Sequence, residues 1–170
     1  CSFNKSISNG GHSLIEIYAI GKNKDKALSE LEKEYIKRIS PFSKINVIEF
    51  KDETNDHTNR ESEVIKIKEK EGDRVLSKIK ENDFVILLDL HGKMMDSLSF
   101  SKELEKWQSA SSHIVFVIAG SLGPSQALIK RANIRWKLSD LTFTHLMTRV
   151  LILEQIYRGF MILNGRSYHK

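Results

Sequence analysis

The chain has 170 residues, 40% hydrophobic and 29% charged, which suits one globular domain with a substantial core and excludes an intrinsically disordered polypeptide. Its longest uncharged apolar runs, Phe84 to Leu88 and Ile114 to Gly123, fall far short of the ~20 residues a membrane-spanning helix needs. The one cysteine, Cys1, can form neither an intramolecular disulfide nor a cysteine metal cluster, so a reducing compartment, the cytoplasm, is expected; the net charge of +5 sets no strong preference by itself.

In chain order, residues 1–13 are polar and small and read as a disordered extension or a vector-derived remnant, a transit fragment being the weaker alternative with one Lys and no Arg. Residues 14–170 read as one domain. Leu14 to Ile20 is a strand, and Lys26 to Ile39 a helix with Ala27, Leu28, Leu31, Tyr35, Ile36 and Ile39 near a 3.6 period, stopped by Pro41. Ile45 to Phe50 is a second strand, followed by the polar loop KDETNDHTN. A charged helix from about Arg60 to Lys80 turns Val64, Ile67, Val75 and Ile79 inward, with Gly72 expected to break it.

Phe84 to Leu90 and Ile114 to Ala119 are apolar on both faces, as in the centre of a parallel sheet covered by helices. Between them Ser99 to Gln108 forms a crossover helix carrying Phe100, Leu104 and Trp107, so the fold class is α/β. A short helix through Ala132 and a strand fragment at Arg135 to Leu138 follow. The last helix, His145 to Leu163, is apolar nearly all round and is expected to pack both on the sheet and across a dimer interface.

Ligands of open α/β sheets bind beyond the carboxyl ends of the strands, which here brings together Asp89 to Lys93, Ala119 to Pro124 and Ser139 to Thr144. The small Ala119, Gly120 and Gly123 permit close approach of backbone to a ligand, although an ordinary strand-to-helix turn uses the same residues. Neither GxGxxG nor GxxxxGK[ST] is present, nor is a G-x-S-x-G elbow or an H-E-x-x-H pair, so phosphate cradling, hydrolysis and a metal site are disfavoured. Asp89 at a strand end is either a base or, as is commoner, a turn cap or positioning group.

Residues 130–170 hold eight basic side chains against Asp140 and Glu154, so the chain's whole surplus lies in its last quarter, either as a solvated face or as a surface for an anionic partner. Arg149 stands among Leu146, Val150, Leu153 and Ile156, where an arginine requires an anion: Glu154, a carboxylate of another subunit, or a ligand. Glu154 and Arg158 pair at i, i+4, which leaves Arg149 for a ligand, and His145 lies one turn from it. Tyr168, His169 and Lys170 either fray at the terminus or fold over a site.

The run Leu138 to His145 (LSDLTFTH), Arg149, Glu154 to Arg158 (EQIYR) and Asn164 to Lys170 (NGRSYHK), with AIGK, KEKEG at Lys68 to Gly72 and LDLHGK, resembles the RlmH family over Leu14 to Lys170. These are small SPOUT-class enzymes that methylate N3 of a pseudouridine in 23S rRNA. The resemblance implies a SPOUT-type α/β/α fold with a five- or six-stranded parallel sheet and a C-terminal trefoil knot, a homodimer, S-adenosyl-L-methionine as cofactor, and the ribosome as partner, with no metal and no membrane. Cofactor positions fall on Leu88, Ala119, Gly120, Leu138, Ser139, Asp140, Leu141, Thr142 and Phe143. Arg149, Tyr168 and His169 are the catalytic candidates, and His145, Arg158, Arg166 and Lys170 the substrate-binding ones. The chain departs from the family at Ala119, where a glycine is usual, and at Thr144, where a proline is usual; the former places cofactor affinity in question. The alternatives are a SPOUT-like or Rossmann-like methyltransferase acting on tRNA or a small molecule, and a non-catalytic RNA-binding module.

Overall fold

The computed structural model describes residues 13–53 and 60–170, so the reading of residues 1–12 and of most of the KDETNDHTN loop lies outside the described residues. Strands β1 (Leu14–Ile20), β2 (Lys44–Phe50), β3 (Phe84–Lys93), β4 (His113–Ile118) and β5 (Ile134–Trp136) alternate with helices α1 (Lys26–Ile39), α2 (Glu61–Leu76), α3 (Ser97–Ala110), α4 (Gln126–Arg131) and α5 (His145–Leu163). The five strands form one parallel sheet in the order β2-β1-β4-β3-β5, with Ile17 opposite Val47 and Phe116, and Ile86 opposite Phe116.

Because successive side chains of a strand point to opposite faces, each apolar run supplies two cores. Ile15, Ile17, Ile86, Ile114 and Phe116 meet Phe100, Trp107, Ile152, Leu153 and Ile156 on one face; Tyr18, Val85, Leu87, Val115 and Val117 meet Val75 and Leu128 on the other. Helices α1, α3 and α5 therefore cover the first face and α2 and α4 the second, an α/β/α sandwich. Helix entry is fixed by short polar caps: Asp25, Asp96, Ser125 and Thr144 each accept a backbone N–H of the first turn.

Several boundaries differ from the sequence reading. Gly72 does not break α2, which runs through it; a Cβ there would stand 2.4 Å from Ser125 Oγ, so the glycine lets α2 lie close to the cap of α4. Strand β3 runs on to Lys93 rather than opening into a loop after Leu90. It bulges after Leu88 so that Leu88 and Lys93 both register with Trp136, and Gly92 permits the return, since a Cβ there would stand 2.6 Å from the Arg135 carbonyl. Strand β5 is correspondingly earlier and shorter than Arg135 to Leu138. On α5 the apolar surround is matched by packing against α1 and α3 as well as the sheet: Tyr157 meets Tyr35 at 6.3 Å between ring centres, and Gly159 lies against Leu104.

Candidate cofactor and catalytic site

A cavity of about 500 Å³ opens at the carboxyl ends of β3, β4 and β5, within the size range of small-molecule sites. Leu88 and Asp89 form its β3 wall, Ile118 to Pro124 its β4 wall, and Trp136 with Leu138 to Phe143, Asp140 excepted, its β5 wall. Helix α5 closes one side with His145 and Thr148, while Lys68 of α2 and Gln126 and Ile129 of α4 close the opposite side. Chain order explains the convergence. Strand β4 lies between β1 and β3, so the connections leaving β3, β4 and β5 rise together over one end of the sheet.

Eight of the nine expected cofactor positions line this cavity: Leu88, Ala119, Gly120, Leu138, Ser139, Leu141, Thr142 and Phe143. Asp140 does not; its carboxylate turns outward to Lys137 Nζ at 2.5 Å. Gly120 is backed by Glu71, whose Oε1 would stand 2.6 Å from a Cβ at that position. Glu71 is buried, its Oε2 accepts the Glu53 N–H at 2.9 Å, and burial outweighs that bond to push its carboxyl above the usual range. Asp89 responds the other way. Burial opposes its charge, yet the His91 N–H (2.9 Å) and the Arg135 guanidinium (2.7 Å) prevail and hold the carboxyl below the ordinary range. At neutral pH it is therefore an anion, held in place by the His91 N–H and the Arg135 guanidinium.

His145 lines the cavity and bonds the Ala119 carbonyl. Burial of its inner side, reinforced by the Arg149 charge, outweighs that bond and lowers its pKa, so the imidazole is neutral near pH 7. Arg149 itself has a protein partner that the sequence did not indicate. Its guanidinium, 2% exposed, donates to Glu49 Oε2 at 2.7 Å and to the Gly21 carbonyl at 2.7 Å, with Glu32 at 3.7 Å. Within the chain the anions are supplied by α1 and β2 rather than by Glu154, and Arg149 is not among the residues that line the cavity. Glu154 takes Arg158 at 2.5 Å, as the i, i+4 spacing indicates.

The C-terminal residues of this chain lie on α5, away from its own cavity. Tyr168 donates to Glu154 at 3.3 Å and lies 4.7 Å from the Arg158 guanidinium, His169 Nδ1 is 3.2 Å from Arg158, and Arg166 lies 5.8 Å from the Phe42 ring. Burial and Glu154 push the Tyr168 phenol up to about 12, so it stays protonated at neutral pH. Lys170 is exposed. Lys68, Gln126, Ile129 and Thr148 are wall residues that the loop-based reading missed. Lys68 stood in the KEKEG stretch that carried the resemblance, but nothing in its spacing linked it to the strand ends.

The model of the family described as "Predicted SPOUT methyltransferase" matches residues 14–169. The chain belongs to the SPOUT methyltransferases. Within that family it is 45% identical to the ribosomal RNA large subunit methyltransferase H of Clostridium tetani and 41% identical to that of Enterococcus faecalis, each time over 92% of this chain and 99% of the relative. Among solved structures, the SpoU methyltransferase AviRb of Streptomyces viridochromogenes aligns with a TM-score of 0.43 and 11% identity, over 96% of this chain and 65% of that one.

SPOUT methyltransferases use S-adenosylmethionine, and the cavity's donor set fits it. Leu88, Ile118, Leu138 and Phe143 offer apolar surface for the adenine, and Asp89 and Lys68 put one charge of each sign on the wall for an amino-acid end. Trp136, 2% exposed, carries an indole N–H that lacks a partner among the described residues, a donor still to be satisfied. No group of three or more potential metal-ligating side chains occurs among the described residues, and no described helix is long and apolar enough to cross a membrane.

Proposed function

We propose that this SPOUT methyltransferase transfers a methyl group from S-adenosylmethionine to N3 of a pseudouridine in large-subunit (23S) ribosomal RNA, on the assembled ribosome in the cytoplasm, as a homodimer with a knotted C-terminal segment. The observation that carries the reading is the convergence of eight expected cofactor residues from three separate connections on one cavity, in a chain that aligns over nearly the full length of relatives named for large-subunit ribosomal RNA methylation.

The cofactor, when bound, supplies an electrophilic methyl group. The protein has to hold the accepting nitrogen in line with it and to remove the N3 proton. His145 suits the proton removal, because it lines the cavity, is neutral near pH 7, and with one nitrogen bonded to the Ala119 carbonyl keeps the other as an acceptor. Arg149, engaged by Glu49 and Glu32, anchors α5 and favours the neutral form of His145, so in this reading it is a positioning residue. Tyr168 and His169, directed away from their own cavity, contribute to the partner's. Arg158, Arg166 and Lys170 form the basic surface that meets RNA phosphates.

Mass mapping of rRNA nucleotides from cells lacking the protein tests this. One methylated pseudouridine of the large-subunit RNA is expected to lose its methyl group, and a plasmid copy to restore it. An unchanged map refutes the reading.

A further inference from the structure

The cavity has a wall that the strand-end loops do not build. Lys68, on α2, is the only lysine or arginine among the described residues that line it. The side chain is half-buried. The helix's other cation near a strand end, Arg74, is held by Glu53 and the Lys51 carbonyl, but Lys68 has no ion-pair partner among the described residues. A partly buried lysine on the cavity wall with no counter-ion among the described residues is placed to receive the anionic group of a ligand.

We infer that Lys68 binds the carboxylate of the cofactor's amino-acid end and so fixes which way round the cofactor lies. The inference rests on the S-adenosylmethionine reading of the cavity. That molecule carries two cationic centres, the sulfonium and the ammonium, and one carboxylate. Lys68 repels the first two and attracts only the third, while Asp89, ionised at neutral pH, attracts the cationic centres. A cofactor lying the other way round would set its neutral adenine against the Lys68 ammonium and leave its carboxylate without that partner, so one wall cation is enough to favour one orientation. An RNA phosphate is the other anion that could use this ammonium. The cofactor is favoured because Lys68 shares its cavity with the Gly120 loop and stands on α2, outside the basic C-terminal quarter that supplies the cationic surface.

Calorimetric titration of the full chain with two ligands tests this: S-adenosylmethionine, and 5′-methylthioadenosine, which keeps the adenosine and sulfur but has no carboxylate. Lys68→Met is expected to weaken the first by about tenfold or more, as for loss of a charge-assisted hydrogen bond, and to leave the second within about twofold. Lys68→Arg is expected to restore most of the loss. Retained methylthioadenosine affinity also reports an intact fold. Equal weakening of both ligands, or no weakening of either, overturns the inference, as does an unchanged cofactor affinity with a raised KM for ribosomes, which assigns Lys68 to RNA. If the unaltered protein binds methylthioadenosine but not S-adenosylmethionine, the cofactor reading itself fails.

Discussion

Arg149 shows how a buried charge can be misjudged when only its helical neighbours are considered. On α5 its near neighbours are apolar, and its partners come from 100 or more residues earlier in the chain. Removing one member of a buried pair typically costs about 3–5 kcal/mol because the other charge is stranded. Glu49 keeps a side-chain exposure of 36%, so the lower end applies. Arg149→Ala is therefore expected to lose about 3 kcal/mol, read as a lower urea midpoint at unchanged slope, and Glu49→Gln, which keeps an acceptor, to lose less. A midpoint equal to wild type would return Arg149 to the ligand. His145 supplies a second test. Its pKa is below the ordinary 6.5 in the folded state, so on acidification the unfolded chain takes up this proton first. Stability from this residue is full above the unfolded value and declines as pH falls beneath it toward the folded one. Urea midpoints at about pH 7.5 and 5.5 are expected to differ less in His145→Gln than in wild type.

At the scale of elements, the bulge of β3 sets the near wall of the site. Gly92→Ala would place its Cβ 2.6 Å from the Arg135 carbonyl carbon and oxygen and 2.8 Å from Trp136 N, all backbone, so β5 must move. A loss of about 2–3 kcal/mol is expected, as for severe overpacking, together with weaker cofactor binding, because Trp136 and Leu138 follow the displaced strand. A thermal melt and a cofactor titration would check both, and a wild-type melting temperature would show that β3 does not depend on the close return. This feature was not legible in the sequence. The unbroken apolar runs of β3 and β4 made the central parallel strands readable, and the period of Ala27 to Ile39 gave α1 its exact limits, because each pattern is local. The bulge requires β5 as a neighbour, and the α2 wall with Lys68 requires the helix to be packed on the sheet. Glycines at 72 and 92 look alike as helix or strand breakers until the atoms beside them are known. Eight of the nine cofactor positions implied by the resemblance meet at one cavity, where the strand ends converge, whereas the direction of Asp140 depends on its own salt bridge to Lys137.

For the whole molecule, the separation between the tail and the cavity in one chain bears on the proposed dimer. Tyr168 and His169 rest on α5 against Arg158 and Glu154, outside their own cavity, and in the proposed dimer they would serve the cofactor of the other copy. The exposed Leu141 and Phe143 of the cavity wall, with the exposed Met147 in the first turn of α5, would supply apolar surface for such a contact. In a symmetric dimer each of two sites would then need a cavity from one subunit and a tail from the other. Deleting residues 168–170 is accordingly expected to abolish most methylation while leaving S-adenosylmethionine affinity within about twofold, measured by activity on ribosomes and by calorimetry. Gly120→Val is expected to disable the cavity, since its Cβ would stand 2.6 Å from Glu71 Oε1 and force the Gly120 wall away from that buried carboxylate. Each variant alone is inactive on this account. Co-refolding them in equal amounts makes about half the dimers mixed, and each mixed dimer holds one complete site of two, so about a quarter of wild-type activity should return. A site built within a single chain predicts none, because every subunit in the mixture lacks either its tail or its cavity.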